Sequence, residues 1–76
     1  MATVLTIPKL EMSMTEGTLV EWLVEDGAQV EEDDPIYVLE TGKAAQDINA
    51  PVSGTLRQSV AAGEEYPVGT VIGEIG

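Results

Sequence analysis

The 76-residue sequence contains no cysteine and no histidine. Without cysteine there is no disulfide, no thiolate nucleophile and no thiolate metal ligand. Without histidine there is no imidazole base or imidazole ligand, and the serine and threonine hydroxyls lack the base that usually activates them. We therefore do not expect the domain to be an enzyme by itself, and any chemistry it takes part in needs a borrowed reactive group that the protein positions.

Positive charge is also scarce. Lys9, Lys43 and Arg57 stand against fourteen acidic side chains, giving a formal net charge of −11. Nucleic acid and anionic membranes are excluded as partners, because binding to phosphate groups needs clustered lysine and arginine. No run approaches the roughly 18 apolar residues of a membrane span. The first five residues also lack the basic segment of a signal peptide.

Short runs rich in β-branched and aromatic residues alternate with turns that contain glycine and proline. Glycine and proline interrupt every candidate helix, so the pattern indicates an all-β domain. We predict eight strands over residues 4–8, 18–24, 28–30, 36–40, 45–50, 55–60, 64–68 and 70–75.

The chain contains an internal repeat. Gly17-Thr18-Leu19 recurs as Gly54-Thr55-Leu56, and the later matches are offset by one residue less, as one β-bulge or one difference in a turn would explain. Two halves of four strands predict two four-stranded antiparallel sheets packed face to face with approximate two-fold symmetry, so that neither half should fold alone. The later matches are Gly27 with Gly63, Val30 with Tyr66, Ile36 with Ile72, and Leu39 with Ile75.

Glu40-Thr41-Gly42-Lys43-Ala44-Ala45 joins the two halves. Extended apolar runs lead into and out of this stretch, which predicts a β-hairpin with Lys43 at or beside its tip. Thr41 and Gly42 are expected to form the turn, because glycine accepts positive φ. The repeat places Lys43 at the end of the molecule opposite the chain termini. The alternative is an ordinary surface lysine in a turn.

The first half carries an insertion. Nine positions separate Pro8 from Gly17, but only three separate Pro51 from Gly54. A loop longer than its counterpart suggests a function, and we expect this one to serve partner recognition rather than the fold. Its two methionines could form a soft contact surface or simply pack. The predicted recognition residues are Leu10, Glu11, Met12, Ser13, Met14, Thr15 and Glu40.

Two other features are interpreted structurally. The run from Glu31 to Asp34 lacks the alternating acidic spacing and distal glutamate of a calcium loop, so we interpret it as a solvated turn and expect no metal site. Trp22 is expected at a core or half-buried strand position rather than at a partner contact.

Five segments follow one another along the whole chain: Lys9-Leu10, Ser13 to Gly17, Glu21-Trp22, Glu40 to Ala44, and Ala50 to Gly54. In this order they closely resemble the lipoyl domain of the acyltransferase component of oxoacid dehydrogenase complexes. The resemblance implies a flattened β-barrel, or barrel-sandwich hybrid, in which Lys43 bears lipoic acid and is presented by Thr41, Gly42 and Ala44. The family usually has aspartate immediately before the lysine, where this chain has Gly42.

The resemblance also implies a set of partners. A lipoate ligase or lipoyltransferase would form the amide on Lys43, and a thiamine-dependent dehydrogenase component would reductively acylate the dithiolane. An acyltransferase core would pass the acyl group to coenzyme A, and dihydrolipoamide dehydrogenase would reoxidise the dithiol. We expect residues 1–76 to be one lipoyl domain at the N-terminus of a longer chain, in the bacterial cytoplasm or, as the second choice, the mitochondrial matrix.

Two other functions share this architecture. A biotinyl carrier domain of a carboxylase typically flanks its lysine with methionines, and here Gly42 and Ala44 stand beside Lys43. An unmodified hybrid-barrel interaction module has no need of a lysine-centred hairpin. A glycine-cleavage carrier protein would be longer, with helical additions.

Crowded carboxylates repel one another, and salt screens exposed charges beyond about 8–10 Å at physiological strength. We predict that adding sodium chloride raises the melting temperature of the domain, as measured by circular dichroism. A melting temperature that is flat or falls from low to moderate salt would show that repulsion does not limit stability.

Overall fold

Eight β-strands form the structure, a computed structural model that describes residues 2–42 and 44–76. The predicted strands are confirmed, with ends that differ by two residues or fewer. No helix occurs in the described residues, and none there could cross a membrane. The strands are β1 (Thr3–Thr6), β2 (Glu16–Trp22), β3 (Gln29–Val30), β4 (Pro35–Glu40), β5 (Ala45–Asn49), β6 (Gly54–Gln58), β7 (Glu64–Pro67) and β8 (Val71–Ile75).

The strands form two four-stranded antiparallel sheets, as predicted. Their orders are β1-β8-β6-β3 and β5-β4-β2-β7. Exchanging each strand for its counterpart in the other half of the chain, β1 for β5 and so on, converts the first order into the second. Each sheet therefore takes two strands from each half of the chain, so neither half contains a complete sheet. This interleaving is the structural reason for expecting that neither half folds alone.

A single bulge explains the change of offset between the repeats. In β2, Leu19 lies opposite Leu39 while Glu21 lies opposite Val38, so Val20 is an extra residue. In the equivalent pair, β6 and β8, successive residues pair without interruption. The repeat offset is 37 residues before Val20 and 36 after it, and the predicted bulge is thereby confirmed.

The apolar core lies between the two sheets and follows the repeat. Leu19, Leu39, Leu56 and Ile75 are each at most 1% exposed and come from equivalent positions of the two halves. No described side chain that is polar or charged is buried. The remaining core residues are Leu5, Ile7, Met14, Val30, Ile36, Tyr37, Ala50 and Ile72.

Two side-chain hydrogen bonds connect the halves symmetrically. Trp22 Nε1 donates to the carbonyl of Val60 at 3.2 Å, and Gln58 Nε2 donates to the carbonyl of Val24 at 3.0 Å. Both donors and both acceptors are 36 residues apart. The half-buried Trp22 also meets Tyr37 edge to face, with ring centroids 5.5 Å apart, and burial raises the pKa of Tyr37 to about 12. The predicted structural position of Trp22 is confirmed.

The acidic run after β3 forms a turn held by the backbone. Asp33 N donates to the carbonyl of Ala50 at 2.8 Å, and Glu31 N donates to the Asp34 carboxylate at 2.9 Å. Its four acidic residues are exposed, in agreement with a solvated turn, and no metal-binding group of acidic side chains was found among the described residues. Asp33 has a left-handed φ of 74°, where the equivalent position of the second half is Gly69, with φ of 90°.

The conformation of Asp33 predicts a stabilising substitution. A left-handed residue costs roughly 1–2 kcal/mol for an ordinary side chain, and glycine recovers this at an entropic cost of about 0.5–1 kcal/mol. We expect Asp33→Gly to raise the free energy of unfolding by about 0.5 kcal/mol, as measured by urea denaturation, and Gly69→Asp to lower it. The Asp33→Asn variant removes the charge and keeps the size of the side chain. It therefore distinguishes the effect of the charge on stability from the effect of the backbone conformation. An Asp33→Gly protein less stable than wild type would contradict this account.

Candidate functional site

The predicted central hairpin is confirmed on the described residues. Glu40 lies opposite Ala45 in the β4–β5 ladder. Beyond that pair, the backbone N–H of Thr41 donates to the carbonyl of Ala44 at 2.8 Å, and the Thr41 hydroxyl donates to the same oxygen at 3.3 Å. Gly42 and Ala44 are both exposed. Lys43, the predicted attachment residue, lies outside the described residues, and its role stays a prediction.

The hairpin turn is the counterpart of the chain ends in the repeat. The pair Leu39–Gln46 that leads to the turn corresponds to the pair Ile75–Thr3 beside the termini. Gly76 packs against Ala2 and exchanges backbone hydrogen bonds with Thr55, whereas the turn is bordered by Glu11, residues 13–18 and Glu65. Ala2 and Thr55, which lie beside Gly76, are not among the described residues that line the cleft at the turn.

Gly42 does not have the conformation that the sequence suggested. The glycines with positive φ are Gly27, Gly54, Gly63 and Gly69, so the expected positive φ at Gly42 is wrong. A Cβ atom built on Gly42 would meet no atom within 4 Å. Neither backbone strain nor crowding requires glycine at this position, because the Thr41–Ala44 hydrogen bond closes the turn with an ordinary φ at Gly42.

The inserted loop between β1 and β2 is anchored by one of its methionines. Met14 is 6% exposed and belongs to the core. Its sulfur accepts a hydrogen bond from the backbone N–H of Leu10 at 3.3 Å, and its own N–H donates to the carbonyl of Glu11 at 3.1 Å. The expectation that this loop serves recognition rather than the fold is therefore wrong for Met14, whose side chain fills the core. Met12, two residues away, is 94% exposed.

The loop and the hairpin enclose an open cleft of about 360 Å³. Five of the predicted recognition residues line it, and Leu10 and Met12 do not. Glu16 and Glu65, which sequence reasoning missed, also line it, because the β2–β7 pairing brings β7 beside the start of β2. Only the strand register could have revealed them. The lining residues are Glu11, Ser13, Met14, Thr15, Glu16, Gly17, Thr18, Glu40, Thr41, Gly42 and Glu65.

The surroundings of the hairpin are acidic and spacious. Carboxylates of Glu11, Glu16, Glu40 and Glu65 line the cleft. A second hollow of about 380 Å³ at the turn is lined, among the described residues, by Glu40 and residues 41, 42, 44 and 45. Apart from Glu40, these residues have small side chains.

Comparison with known sequences identifies the family. The Biotin_lipoyl family, described as "Biotin-requiring enzyme", matches residues 3–75. This match covers nearly the whole chain, and the chain belongs to this family of domains that carry a covalently attached biotin or lipoyl group.

The curated relatives are acyltransferase components. The chain is 43% identical over 70 residues to the dihydrolipoyllysine-residue acetyltransferase component of the acetoin cleaving system of Cupriavidus necator, covering 91% of this chain and 19% of the relative. It is 40% identical over 76 residues to the corresponding component of the pyruvate dehydrogenase complex of Corynebacterium glutamicum, covering 99% and 11%. The chain thus spans a fifth or less of the length of these relatives.

A solved structure confirms the fold. The lipoyl domain of the 2-oxoglutarate dehydrogenase complex of Azotobacter vinelandii superposes with a TM-score of 0.80 at 23% identity, covering 96% of this chain and 94% of that one. The fold of this chain is therefore the predicted flattened barrel of two four-stranded sheets.

The geometry of Gly42 predicts that a side chain is tolerated there. Replacing a glycine whose φ is ordinary stabilises by about 0.4–1 kcal/mol through the unfolded chain, while an added negative charge opposes this. We expect the free energy of unfolding of Gly42→Asp, measured by urea denaturation, to lie within about 1 kcal/mol of the wild-type value. As a control, Gly73→Ala would place its Cβ against the Arg57 carbonyl oxygen. This substitution should lower the free energy of unfolding by about 2 kcal/mol or more. A Gly42→Asp loss as large as that of the control would contradict this description of the turn.

Proposed function

We propose that Lys43 carries lipoic acid in amide linkage and that the domain is a lipoyl carrier. The observation that carries this proposal is the closed turn between Thr41 and Ala44, with Gly42 and Ala44 exposed, in a chain of the biotin and lipoyl attachment family. In the sequence, Lys43 stands between these two exposed residues. Lipoyl is favoured over biotin because the relatives are named for a dihydrolipoyllysine residue. Glycine and alanine, rather than methionine, also flank Lys43.

The protein's contribution is to hold and expose the attachment point. The Glu40–Ala45 pair and the two hydrogen bonds from Thr41 to Ala44 fix the turn on the end of a two-stranded ladder. Bound lipoyl would supply a dithiolane that accepts an acyl group and reducing equivalents. Amide formation removes one positive charge, so the formal net charge falls from −11 to −12. The surroundings of the arm thereby become still more acidic.

The proposed partners follow from this role. A lipoate ligase or lipoyltransferase would load Lys43, and a thiamine-dependent dehydrogenase component, an acyltransferase core and dihydrolipoamide dehydrogenase would act on the loaded group. We propose that residues 1–76 form the N-terminal domain of a longer acyltransferase chain in the cytoplasm of a bacterium. The greater length of the relatives supports the longer chain. A flexible connection to the core would let the domain visit several active sites at high effective concentration.

Incubation with lipoate ligase, lipoate and ATP tests the attachment. We expect intact mass spectrometry to show one added lipoyl group on wild type and none on Lys43→Arg, because Lys9 lies outside the hairpin. Incubation with a biotin protein ligase and biotin should add nothing. A lipoyl group on the Arg variant, or biotin on wild type, would contradict the assignment.

Matched variants test whether the hairpin presents the lysine. Exchanging Lys43 with Gly42, or with Ala44, keeps the composition and charge of the domain while it moves the ammonium by one residue along the turn, and adjacent residues of a β-ladder face opposite sides. Both proteins should fold, as judged by circular dichroism, and lose most of their lipoylation. Full lipoylation of either would show that position within the hairpin is not what the ligase reads.

A further inference from the structure

An apolar hollow opens between the edges of the two sheets. β1 and β5 are each the first strand of their sheet, so each has one edge that pairs with no other strand among the described residues. Between these edges lies a hollow of about 230 Å³. None of the described residues that line it is charged, although the chain carries fourteen acidic side chains. No described residue lines both this hollow and the cleft at the turn.

The side walls of the hollow follow the repeat. Thr3 lies opposite Ile75 as Gln46 lies opposite Leu39, so β1 and β5 are equivalent strands of the two halves. The hollow between them therefore lies across the approximate two-fold axis of the fold. Equivalent residues line its two sides, namely Leu5 and Ile48, Thr6 and Asn49, and Pro8 and Pro51.

The symmetry of the hollow is broken by one side chain, that of Tyr37. Ile48 lies opposite Tyr37 in the β4–β5 ladder, and Leu5 lies opposite Gly73 in the β1–β8 ladder. A Cβ atom at Gly73 would meet the carbonyl oxygen of Arg57, so no side chain fits there without a shift of the backbone. The ring of Tyr37 therefore has no counterpart in the second half, and Tyr37 is one of the residues that line the hollow.

Packing alone does not explain the hydroxyl group of Tyr37. The residue is 2% exposed, and its ring meets Trp22 edge to face, as a phenylalanine ring would. The side-chain hydrogen bonds of the described residues do not include the Tyr37 hydroxyl. By contrast, the hydroxyl of Tyr66 donates to the carbonyl of Ala61 at 2.8 Å.

The Tyr37 hydroxyl is open to the hollow. No fully buried polar side-chain atom lacks a partner in the described part of the chain, so the small exposed fraction of Tyr37 includes its hydroxyl oxygen. Because Tyr37 lines the hollow, a molecule there can reach this oxygen. Burial raises the pKa of Tyr37 to about 12, so the hydroxyl stays protonated at neutral pH and can donate a hydrogen bond.

We propose that the hollow binds a small uncharged carbonyl compound, whose oxygen accepts a hydrogen bond from the Tyr37 hydroxyl. Ligand sites are typically apolar, with a few polar groups that fix the orientation of the ligand. A carbonyl oxygen accepts this hydrogen bond and brings no donor that the apolar walls would leave unpaired. A charged ligand is disfavoured, because it would lose hydration beside walls whose described residues carry no compensating charge.

The volume of the hollow sets the size of the ligand. An apolar cavity of about 150 Å³ holds benzene, so a hollow of this volume suits a molecule of roughly ten non-hydrogen atoms. The ketone 2-octanone, an aliphatic chain with one carbonyl group, is a suitable probe. The site does not depend on the proposed carrier function, because none of the described turn residues lines the hollow.

Titration of the domain with 2-octanone tests the site. We expect saturable binding with a Kd below about 1 mM, with amide NMR shifts concentrated in β1, β5 and Tyr37. The fluorescence of Trp22, the only tryptophan, should change with the same Kd, because its ring contacts that of Tyr37. Octanoate, which carries a charge on a chain of the same length, should bind about tenfold more weakly or less. Absence of saturation, or shifts spread over the whole domain, would overturn the site.

The Tyr37→Phe variant tests the hydrogen bond, because it removes the hydroxyl and keeps the ring. We expect the Kd for 2-octanone to rise about fivefold. The melting temperature, measured by circular dichroism, should not fall, because no hydrogen bond within the protein is lost. Equal Kd values for this variant and the wild type would overturn the role of the hydroxyl.

Two matched variants test the position of the site. Val4 lines the hollow and is 58% exposed, so Val4→Asp adds a carboxylate to the wall without disturbing the core. Val71, which is 50% exposed in the same sheet, is not among the described lining residues, and Val71→Asp is the control. We expect the Kd for 2-octanone to rise about tenfold in Val4→Asp and to stay within about twofold in Val71→Asp. Equal Kd values in the two folded variants would overturn the site.

Discussion

Burial of two small apolar sheet faces against each other is the interaction on which the rest of the structure depends. A domain of this size exposes much of its surface, so the few fully buried side chains must come from both sheets at once. The interleaved strand order meets this need, because every sheet is completed by strands from the other half. Trp22 and Gln58 add equivalent hydrogen bonds across the same boundary. The hairpin then extends from a cooperative body, which gives its turn a fixed base.

Much of this could be predicted from the sequence. The strands were evident because β-branched runs alternate with glycine turns, and the bulge was evident because the repeat offset changes once. The conformation of Gly42 could not be predicted, because glycine in a turn adopts either a positive or a negative φ and the residue type does not decide between them. The sequence could not predict which of Met12 and Met14 is buried, because a loop has no periodicity that indicates which side chain points into the core. Glu16 and Glu65 were missed, because only strand register places them beside the hairpin.

The asymmetry between the two halves shows where function has been added to a symmetric frame. The backbone hydrogen bonds of the two turns at Asp33 and Gly69 are equivalent, and so are the core positions. The differences are an inserted loop, a turn in place of two chain ends, and carboxylates on one sheet face. The inserted loop and the turn border one cleft, which Glu40 and Glu65 of that sheet also line. The symmetric part of the fold thus stabilises the domain, and these departures from symmetry lie at the candidate functional site.

The correspondence between the hairpin turn and the chain ends has a mechanical consequence. The two-fold repeat has two equivalent positions. The two chain ends lie at one of them, and at the other the hairpin turn connects β4 to β5. In the proposed carrier, a force applied at either chain end acts first on the strands beside Ala2 and Gly76. The turn from Thr41 to Ala44 is closed by its own hydrogen bonds, so such a force reaches it through the strands of the two sheets and not through the bonds that close the turn.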